Sequence, residues 1–286
     1  MVSAGSCAEP TFIPAAVADR RKCAGFSGVR GGMGVAVRAC QGVTMQARRQ
    51  IDPNGDGRTE RSLFDGLLRG YRFTVCEDVS AAVRALDVRR RVYVDLCGYD
   101  LAVPDGYDSR SWLLVAEDVD SGQPIGSMRV TPRTHGPLEL EEYLRLPDQL
   151  AQHALVEVTR FAVLPDHRDS RRFLPPVALG LYKLVSQLVR RLGADYVVIC
   201  AKPERSWSYR WLGFEPTGLS TRYGKLGATE HDLLTCDLRR DMLALRRHRY
   251  WDFVFRMDHP EVVMPRNLPA LGLATQWPTS AIRRTA

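Results

Sequence analysis

The feature that most constrains this chain is a change of residue pattern between positions 155 and 200. Apolar and polar residues alternate over 155–163, which indicates a strand, and the pattern breaks at Pro165. Residues 175–192 then repeat apolar side chains every three or four positions, between a proline at the start and a glycine after the end, as in an amphipathic helix. Residues 196–200 are apolar throughout, as in a strand buried on both faces. The order predicts two neighbouring strands joined by a crossover helix.

The first of these strands and the loop after it carry charged side chains. Glu157 and Arg160 are three residues apart, so a regular strand would direct them to opposite faces of the sheet. A β-bulge between them would bring both to one face and would open the backbone ladder for a ligand. The N-terminus of the following helix offers free N–H groups, and Arg168, Arg171 and Arg172 add positive charge beside it. We therefore expect a phosphate or another anion to bind there.

The sequence Glu-Val-Thr-Arg-Phe-Ala-Val at 157–163 resembles the central strand of the acyl-homoserine lactone (autoinducer) synthases and of the long-chain N-acyl amino acid synthases. Both are branches of the GCN5-related N-acetyltransferase fold, and the resemblance covers residues 72–240. It implies an α+β or α/β fold with a mixed central sheet flanked by helices. It also implies an acyltransferase without a tightly bound cofactor, which moves a fatty acyl group from acyl carrier protein or acyl-CoA to the amine of an amino-acid-type acceptor.

Residues upstream of that strand extend the resemblance. Asp78 predicts the N-cap of a helix that ends at Gly98, with Arg89 and Tyr93 on one face. The autoinducer synthases have an arginine, an aromatic residue four positions later and a second aromatic six positions further on. Arg89, Tyr93 and Tyr99 match this spacing, although tyrosines replace the usual phenylalanine and tryptophan. On the residues alone, Arg89 is equally one of three consecutive solvated arginines.

Two aspartates and one more arginine complete the expected acceptor site. Asp105 and Asp108 precede a strand at 111–116, and a plain Asp-Gly turn explains them about as well as a binding role. In the resembled family, two aspartates at this spacing hold the amine side of the site. Arg129 alternates with apolar neighbours and matches an arginine of the autoinducer synthases. The resemblance thus assigns substrate binding to Arg89, Tyr93, Tyr99, Asp105, Asp108 and Arg129.

Acyl transfer from a thioester to an amine requires loss of a proton, stabilisation of the carbonyl oxygen and departure of the thiolate. Glu157 is the candidate base, acting through water, and backbone N–H groups at a bulge around Phe161 are candidates for stabilising the oxygen. Arg160 and Arg129 are expected to orient Glu157 or the acceptor's carboxylate. Tyr209 begins a Tyr-x-x-x-Gly-Phe pattern and is the candidate proton donor to the thiolate, with packing as the alternative. No serine or cysteine with a histidine partner is apparent in the sequence, so we expect direct attack.

The loop before the helix bears on the donor. Acetyl-CoA users of this superfamily have Arg/Gln-x-x-Gly-x-Gly/Ala there, whereas this chain has Arg-Asp-Ser-Arg-Arg-Phe at 168–173 and lacks both glycines. That departure favours the phosphopantetheine of acyl carrier protein, an acidic partner that Arg168, Arg171 and Arg172 would attract. The tyrosines and the long terminal extensions favour an N-acyl amino acid synthase. The alternatives are an autoinducer synthase that uses S-adenosylmethionine, and a non-catalytic domain of the same fold that binds an acyl group or a metabolite.

Composition sets the remaining expectations. The net charge is +7, but residues 71–240 contain equal numbers of acidic and basic side chains, so the excess lies in the flanks. This favours solvated ends over a nucleic-acid or membrane surface. Seven cysteines without a Cys-x-x-Cys pair argue against a disulfide framework and against a metal site. A calcium-loop-like sequence at 52–63 lacks the glutamate required at its last position.

Sequence patterns also predict the location and the domain organisation. No apolar run is long enough for a membrane span or a signal peptide, so we expect a cytoplasmic protein of a bacterial type. Residues 1–70 are predicted to form a poorly ordered basic extension, 71–240 the acyltransferase domain and 241–286 a C-terminal extension.

Overall fold

The computed structural model describes residues 64, 66–168, 175–223, 226, 229–240 and 249–276. The N-terminal residues predicted to be poorly ordered, up to 63, and the calcium-loop-like sequence lie outside this part. Arg171 and Arg172 lie outside it as well. Within the part that is described, no helix combines the length and the apolar character needed to cross a membrane.

One sheet of eight strands organises the described residues, in the order β6-β7-β5-β4-β3-β2-β1-β8. Its strands are β1 Tyr71–Val75, β2 Trp112–Asp118, β3 Pro124–Pro132, β4 Leu155–Val163, β5 Tyr196–Ala201, β6 Glu215–Arg222, β7 Glu230–Asp237 and β8 Val262–Val263. Neighbouring strands are antiparallel except for the pairs β4–β5 and β1–β8, which are parallel. The predicted mixed central sheet is therefore confirmed.

Five α-helices that accompany the sheet are described over their whole length: α1 Val79–Arg89, α2 Asp148–Ala151, α3 Pro176–Arg191, α4 Pro203–Arg210 and α5 Arg249–Phe255. The side chain of Asp78 accepts a hydrogen bond from the backbone N–H of Ala81 and caps α1, as predicted. A π-helix at Arg90–Leu96 continues α1 up to Gly98. Short 3-10 helices lie at Asp108–Arg110, Arg133–His135, Glu139–Glu142, Pro165–His167 and Leu273–Gln276.

Helix α3 crosses one face of the sheet and carries the predicted connection between parallel strands β4 and β5. Its apolar stripe, including Leu181, Leu184 and Leu188, is fully buried in the main core. Gly180 lies against the ring of Phe73, and no side chain would fit between them. The opposite face of the sheet packs against other residues, such as Leu138 and Leu140. The central unit thus forms as its residue pattern predicts.

Strand β4 departs from regular pairing on both of its sides. On the β3 side, Ser127 pairs with Ala162 and Arg129 pairs with Thr159, so β4 has one residue more than β3 over this stretch. Arg160 takes up the extra length with φ of 56°, a left-handed conformation that is rare for residues other than glycine. On the β5 side, pairing stops after Glu157. The predicted bulge is confirmed, and it opens the sheet between β4 and β5.

Residues on either side of the region 71–240 also pack against the sheet. Phe64 and Leu68 are buried in the main core. Strand β8 pairs in parallel with β1, and the indole N–H of Trp112 donates a hydrogen bond of 3.0 Å to the carbonyl oxygen of Pro269. The described flanking residues therefore share one core with the strands, while the predicted domain boundaries stay a prediction.

Candidate active site

Seven ionisable side chains from distant parts of the chain meet in one buried cluster, which we call the charge cluster: Arg89, Asp105, Asp108, Arg129, Glu139, Glu157 and Arg160. Six of them are candidate site residues of the sequence, and the seventh is Glu139. Three guanidinium groups face four carboxyl groups, so the cluster carries one negative charge in excess when all four are ionised.

The arginines of the charge cluster are paired with its carboxylates. The Nη1 atom of Arg89 donates to both carboxylate oxygens of Asp108, at 2.7 and 2.8 Å. Arg129 donates to Asp105, Asp108 and Glu139. Arg160 donates to Asp105 at 3.3 Å and also to Glu139. Such charge-assisted bonds fix the groups in place, and each arginine has a carboxylate partner.

Two strands and one helix supply the arginines of the cluster. Arg129 and Arg160 come from the neighbouring strands β3 and β4, and the bulge turns Arg160 towards the same carboxylates as Arg129. Arg89 is the last residue of α1, where the helix changes to π geometry. Asp105 also accepts a hydrogen bond from the backbone N–H of Tyr107, as expected for an aspartate in a turn. Asp105 therefore stabilises the turn and also belongs to the charge cluster.

Glu157 is buried completely and lies at the point where β4 and β5 separate. Its carboxylate accepts hydrogen bonds from the backbone N–H groups of Glu139 and Leu140, at 2.7 and 3.1 Å. Burial, and next the negative charge of Glu139, raises the pKa of Glu157 to about 7, although Arg129 and the two N–H donors act against this rise. A carboxyl group with this pKa exchanges its proton near neutral pH.

Asp105 behaves in the opposite way. Burial by itself would raise its pKa, but the positive charges of Arg129, Arg89 and Arg160 outweigh burial and lower the pKa to about 2. Its side chain is 11% exposed, whereas the side chains of Asp108 and Glu139 are 0% and 2% exposed. Asp105 is therefore a permanent carboxylate at the edge of the cluster.

Glu139 is the member of the charge cluster that the sequence did not reveal. It begins the 3-10 helix Glu139–Glu142, in a stretch interpreted only as a helix or lid, and its two oxygens bind Arg129 and Arg160 separately. The one available signal was a charged residue flanked by two leucines that both turn out to be buried. A charged residue between two buried apolar residues indicates a side chain that lies in the interior and is paired with an opposite charge.

A cleft opens where β4 and β5 separate, with a cavity volume of about 170 Å³. Thr159, Arg160 and Phe161 of β4 line one side, and Ile199 and Ala201 of β5 line the other. Tyr223 and Cys200 lie at its wall, and burial, with a smaller contribution from the negative charge of Glu157, raises the pKa of both side chains. The cleft and the charge cluster are thus neighbours that meet at the bulge.

Aromatic residues surround the bulge inside the cleft. The hydroxyl of Tyr93 donates a hydrogen bond of 2.9 Å to the carbonyl oxygen of Phe161, and the rings of Tyr93 and Tyr99 lie 6.0 Å apart. The ring of Phe161 stacks on Tyr182 at 5.4 Å, and Tyr182 meets Tyr209 at 6.3 Å. Four predicted site residues, Tyr93, Tyr99, Phe161 and Tyr209, therefore gather around the opening between the strands.

The predicted donor end of the site is described only in part. Arg168 donates a hydrogen bond of 2.6 Å to the carbonyl oxygen of Val163 at the end of β4. Helix α3 begins at Pro176, close in sequence to this arginine, and a proline there matches the prediction. The described residues contain no group of three or more His, Cys, Asp or Glu side chains placed to hold a metal ion.

Comparison with known proteins agrees with this architecture. The family model described as "FeeM: N-acyl amino acid synthase FeeM" matches residues 67–237, more than half of the chain. The solved structure of FeeM, an N-acyl amino acid synthase from uncultured soil microbes, is 16% identical, covers 60% of this chain and 93% of its own, and has a TM-score of 0.48. No curated protein sequence matches this chain.

Two further solved structures are similar. BjaI, a CoA-dependent acyl-homoserine lactone synthase solved with SAM and isopentyl-CoA, is 19% identical, covers 72% of this chain and 98% of its own, and has a TM-score of 0.51. An acyl-CoA N-acyltransferase from Pseudomonas aeruginosa is 16% identical, covers 58% and 98%, and has a TM-score of 0.41. At these identities the likeness concerns the fold alone.

Fold and family match together define the class of this protein: it is an acyltransferase with a GCN5-related N-acetyltransferase-like fold, as the sequence predicted. The chain belongs to the family of the N-acyl amino acid synthase FeeM.

Proposed function

We propose that this protein is an N-acyl amino acid synthase, which transfers a fatty acyl group from acyl carrier protein to the amine of an amino acid. The observation that carries the proposal is the meeting of an apolar cleft and a buried charge cluster at the bulge of β4. A long acyl chain needs the apolar cleft, and an amino acid needs the charged groups. An apolar cleft and a charge cluster that meet at one opened strand suit the transfer of an acyl chain to an amino acid.

The acyl donor occupies the cleft. Apolar side chains, with valine the most frequent, form most of its walls, which favours a hydrocarbon chain. The thioester carbonyl lies at Phe161, where the bulge leaves β4 residues without a register partner on β3. Backbone N–H groups at such a place suit a developing negative charge on the carbonyl oxygen. Arg168, with the undescribed Arg171 and Arg172, attracts the phosphate of the carrier and the acidic surface of the carrier protein.

The acceptor binds beside the charge cluster. The excess negative charge of the cluster favours a positively charged group such as an ammonium, and the ionised Asp105 at its edge is the nearest partner for it. Among the described residues, the Nε and Nη2 atoms of Arg89 have no hydrogen-bond partner, so this guanidinium group still has donors for a carboxylate. An amino acid presents both of these groups.

The reaction is then a direct transfer. The ammonium passes a proton through water to the ionised Glu157, and the amine nitrogen forms a bond with the thioester carbon. When the tetrahedral intermediate collapses, the carbon–sulfur bond breaks, and the thiolate takes a proton from Tyr209, which lines the cleft. The nitrogen gives up its second proton, which passes through water to the phenolate of Tyr209, so that the amide is neutral and the tyrosine is restored. The products are an N-acyl amino acid and the free thiol of the carrier. The transfer itself requires no oxidant, metal ion or covalent enzyme intermediate.

Mass spectrometry of organic extracts from a bacterium that expresses the protein tests the proposal. We expect N-acylated amino acids with the wild-type chain, their loss with Glu157→Gln, and their retention with Glu77→Gln, a matched change at an exposed glutamate. Acyl-homoserine lactones in place of N-acyl amino acids would establish the alternative, a synthase that uses S-adenosylmethionine. A wild-type extract without any new N-acylated species would refute both functions and favour a non-catalytic domain.

Purified protein tests the donor. We expect transfer from acylated carrier protein to exceed transfer from the matching acyl-CoA. The reverse preference would replace carrier protein by CoA in the proposal. A cytoplasmic location follows for an enzyme that uses acyl carrier protein, and fractionation of the expressing cells checks it.

A further inference from the structure

The cleft between β4 and β5 continues along α3 into the core of the protein. One face of α3 lines it over two turns, with Tyr182 near the bulge and Val185, Ser186 and Val189 further along the helix. At ~1.5 Å per residue, the distance from Tyr182 to Val189 is about 10 Å. The cleft is therefore deep as well as open, and its direction follows the axis of α3.

Helix α5 lies at the inner end of this cleft. Val254 and Phe255 of α5 line the cavity, and both side chains are buried, with 2% and 8% exposure. Side chains of α3 hold α5 in place: Ser186 donates to the carbonyl oxygen of Val254, and Arg190 donates to that of Phe255. Val254 and Phe255 are therefore bound four and eight residues further along α3 than Tyr182, which stacks on Phe161 at the bulge.

Part of the anchoring of α5 uses its backbone, and Val254 and Phe255 also line the cavity. Lys183 donates a hydrogen bond of 2.7 Å to the carbonyl oxygen of Phe253 and a further bond to that of Met257. These bonds, like those of Ser186 and Arg190, do not depend on which side chains α5 carries. Replacing a side chain of α5 can therefore change the cavity while the helix stays in place.

We propose that α5 is the end wall of the acyl cavity and sets the longest fatty acyl chain that the protein accepts. This inference rests on the proposed function, since it assumes that the cavity holds the acyl chain. It goes beyond the family match, because that match ends at residue 237 and α5 begins at Arg249. A segment outside the family pattern thus determines which members of the fatty acyl series are substrates.

The wall has a measurable consequence. Each methylene group that enters an apolar cavity increases the affinity about fourfold. Once the acyl chain reaches Val254 and Phe255, further methylene groups do not increase the affinity, because displacing close-packed side chains costs free energy. Affinity plotted against chain length must therefore rise and then break at one length.

Calorimetric titration of the purified protein with acyl thioesters of N-acetylcysteamine, from butanoyl to palmitoyl, locates the break. Phe255→Ala removes most of the wall and moves the break to longer chains, and Phe255→Leu does so to a smaller extent if the alanine variant fails to fold. Val254→Leu enlarges the wall and moves the break to shorter chains. The matched control is Phe253→Leu, because Phe253 is a buried phenylalanine of the same helix that packs on Phe64 and does not line the cavity.

A break at the same length in wild type, Phe255→Leu and Val254→Leu overturns the inference, as does an equal shift with Phe253→Leu. Circular dichroism confirms that each variant is folded. If the proposed function is wrong, the result is different. The affinity for thioesters then still breaks at a chain length that depends on α5, but no N-acylated product appears in cell extracts. If the products do form, their longest acyl chain shifts with the same substitutions.

Discussion

The side chain of Glu157 combines full burial, two backbone N–H donors and a pKa of about 7. A general base must be ionised, so we expect kcat/KM, which reports ionisation of the free enzyme, to rise as the pH rises through about 7 and then to level off. In Glu157→Gln this rise disappears together with most of the activity. Purified enzyme assayed from pH 5 to 9 gives the profile. A variant that keeps its pH profile and changes mainly in KM would instead make Glu157 a positioning residue for the segment at Glu139.

The same raised pKa predicts an effect on stability. The folded state binds the proton of Glu157 more tightly than the unfolded state, where the pKa is about 4.5. The stabilising contribution is therefore complete below pH 4.5 and is lost as the pH rises to about 7, by up to ~3 kcal/mol. Urea unfolding of wild type and Glu157→Gln across this range measures it, since glutamine does not titrate. A difference between the two proteins that is constant with pH would contradict the assigned pKa.

Between elements, a glycine allows a close contact where α3 crosses β1. Gly180 of α3 rests on the ring of Phe73, and a methyl group there would overlap the ring. Alanine improves helix propensity by about 1 kcal/mol, but overpacking a full core costs about 1–3 kcal/mol, and an aromatic ring at 0% exposure cannot retreat. We expect Gly180→Ala to lower the free energy of unfolding by about 2 kcal/mol.

Chemical denaturation measures this loss, with two comparisons. Gly66→Ala is the control, because nothing lies within 4 Å of a methyl group at Gly66, and it should leave stability unchanged or slightly higher. Phe73→Leu combined with Gly180→Ala should recover part of the loss. A Gly180→Ala protein as stable as wild type would mean that α3 does not approach β1 so closely.

The bulge of β4 is the element on which the site depends. A regular strand would place Glu157 and Arg160 on opposite faces of the sheet. The left-handed conformation of Arg160 forms the bulge that brings both side chains to the charge cluster. The three hydrogen bonds from its guanidinium group to Asp105 and Glu139 hold it there. Local strain is thus offset by ion pairs inside the charge cluster.

For the whole molecule, residues beyond 240 contribute to the same core as the family-matching region. Trp251 is 1% exposed, Phe253 stacks on Phe64 at 4.5 Å, and the buried Lys183 has both of its acceptors in this part of the chain. A chain truncated after residue 240 would expose this apolar surface and leave Lys183 without these acceptors. We expect it to be insoluble or to melt at least 10 °C lower, roughly the effect of losing several kcal/mol.

Soluble yield and the thermal midpoint check this expectation. A truncated chain 1–240 that is soluble and melts with the wild type would instead support an independent domain ending at 240.

The residue pattern was sufficient to predict those parts of the structure that depend on residues close in sequence. The alternation at 155–163, the helical spacing of α3 and the cap at Asp78 each predict their element, because burial of one face requires that periodicity. The spacing of Glu157 and Arg160 likewise predicts the bulge. The resemblance to the synthase families added the residues of the charge cluster from α1, the turn at Asp105 and β3, which no periodicity could have joined.

Tertiary structure decided what depends on contacts between distant segments. Glu139 joins the charge cluster because its short helix lies over β4, and α5 closes the cleft because α3 side chains bind its carbonyl groups. Neither contact could be predicted from the periodicity of the sequence, because a single buried charge or a helix of seven residues is too short to form a repeating pattern. The sequence by itself determined the elements and the type of chemistry, whereas long-range packing determined the depth of the cleft and the partners of each charge.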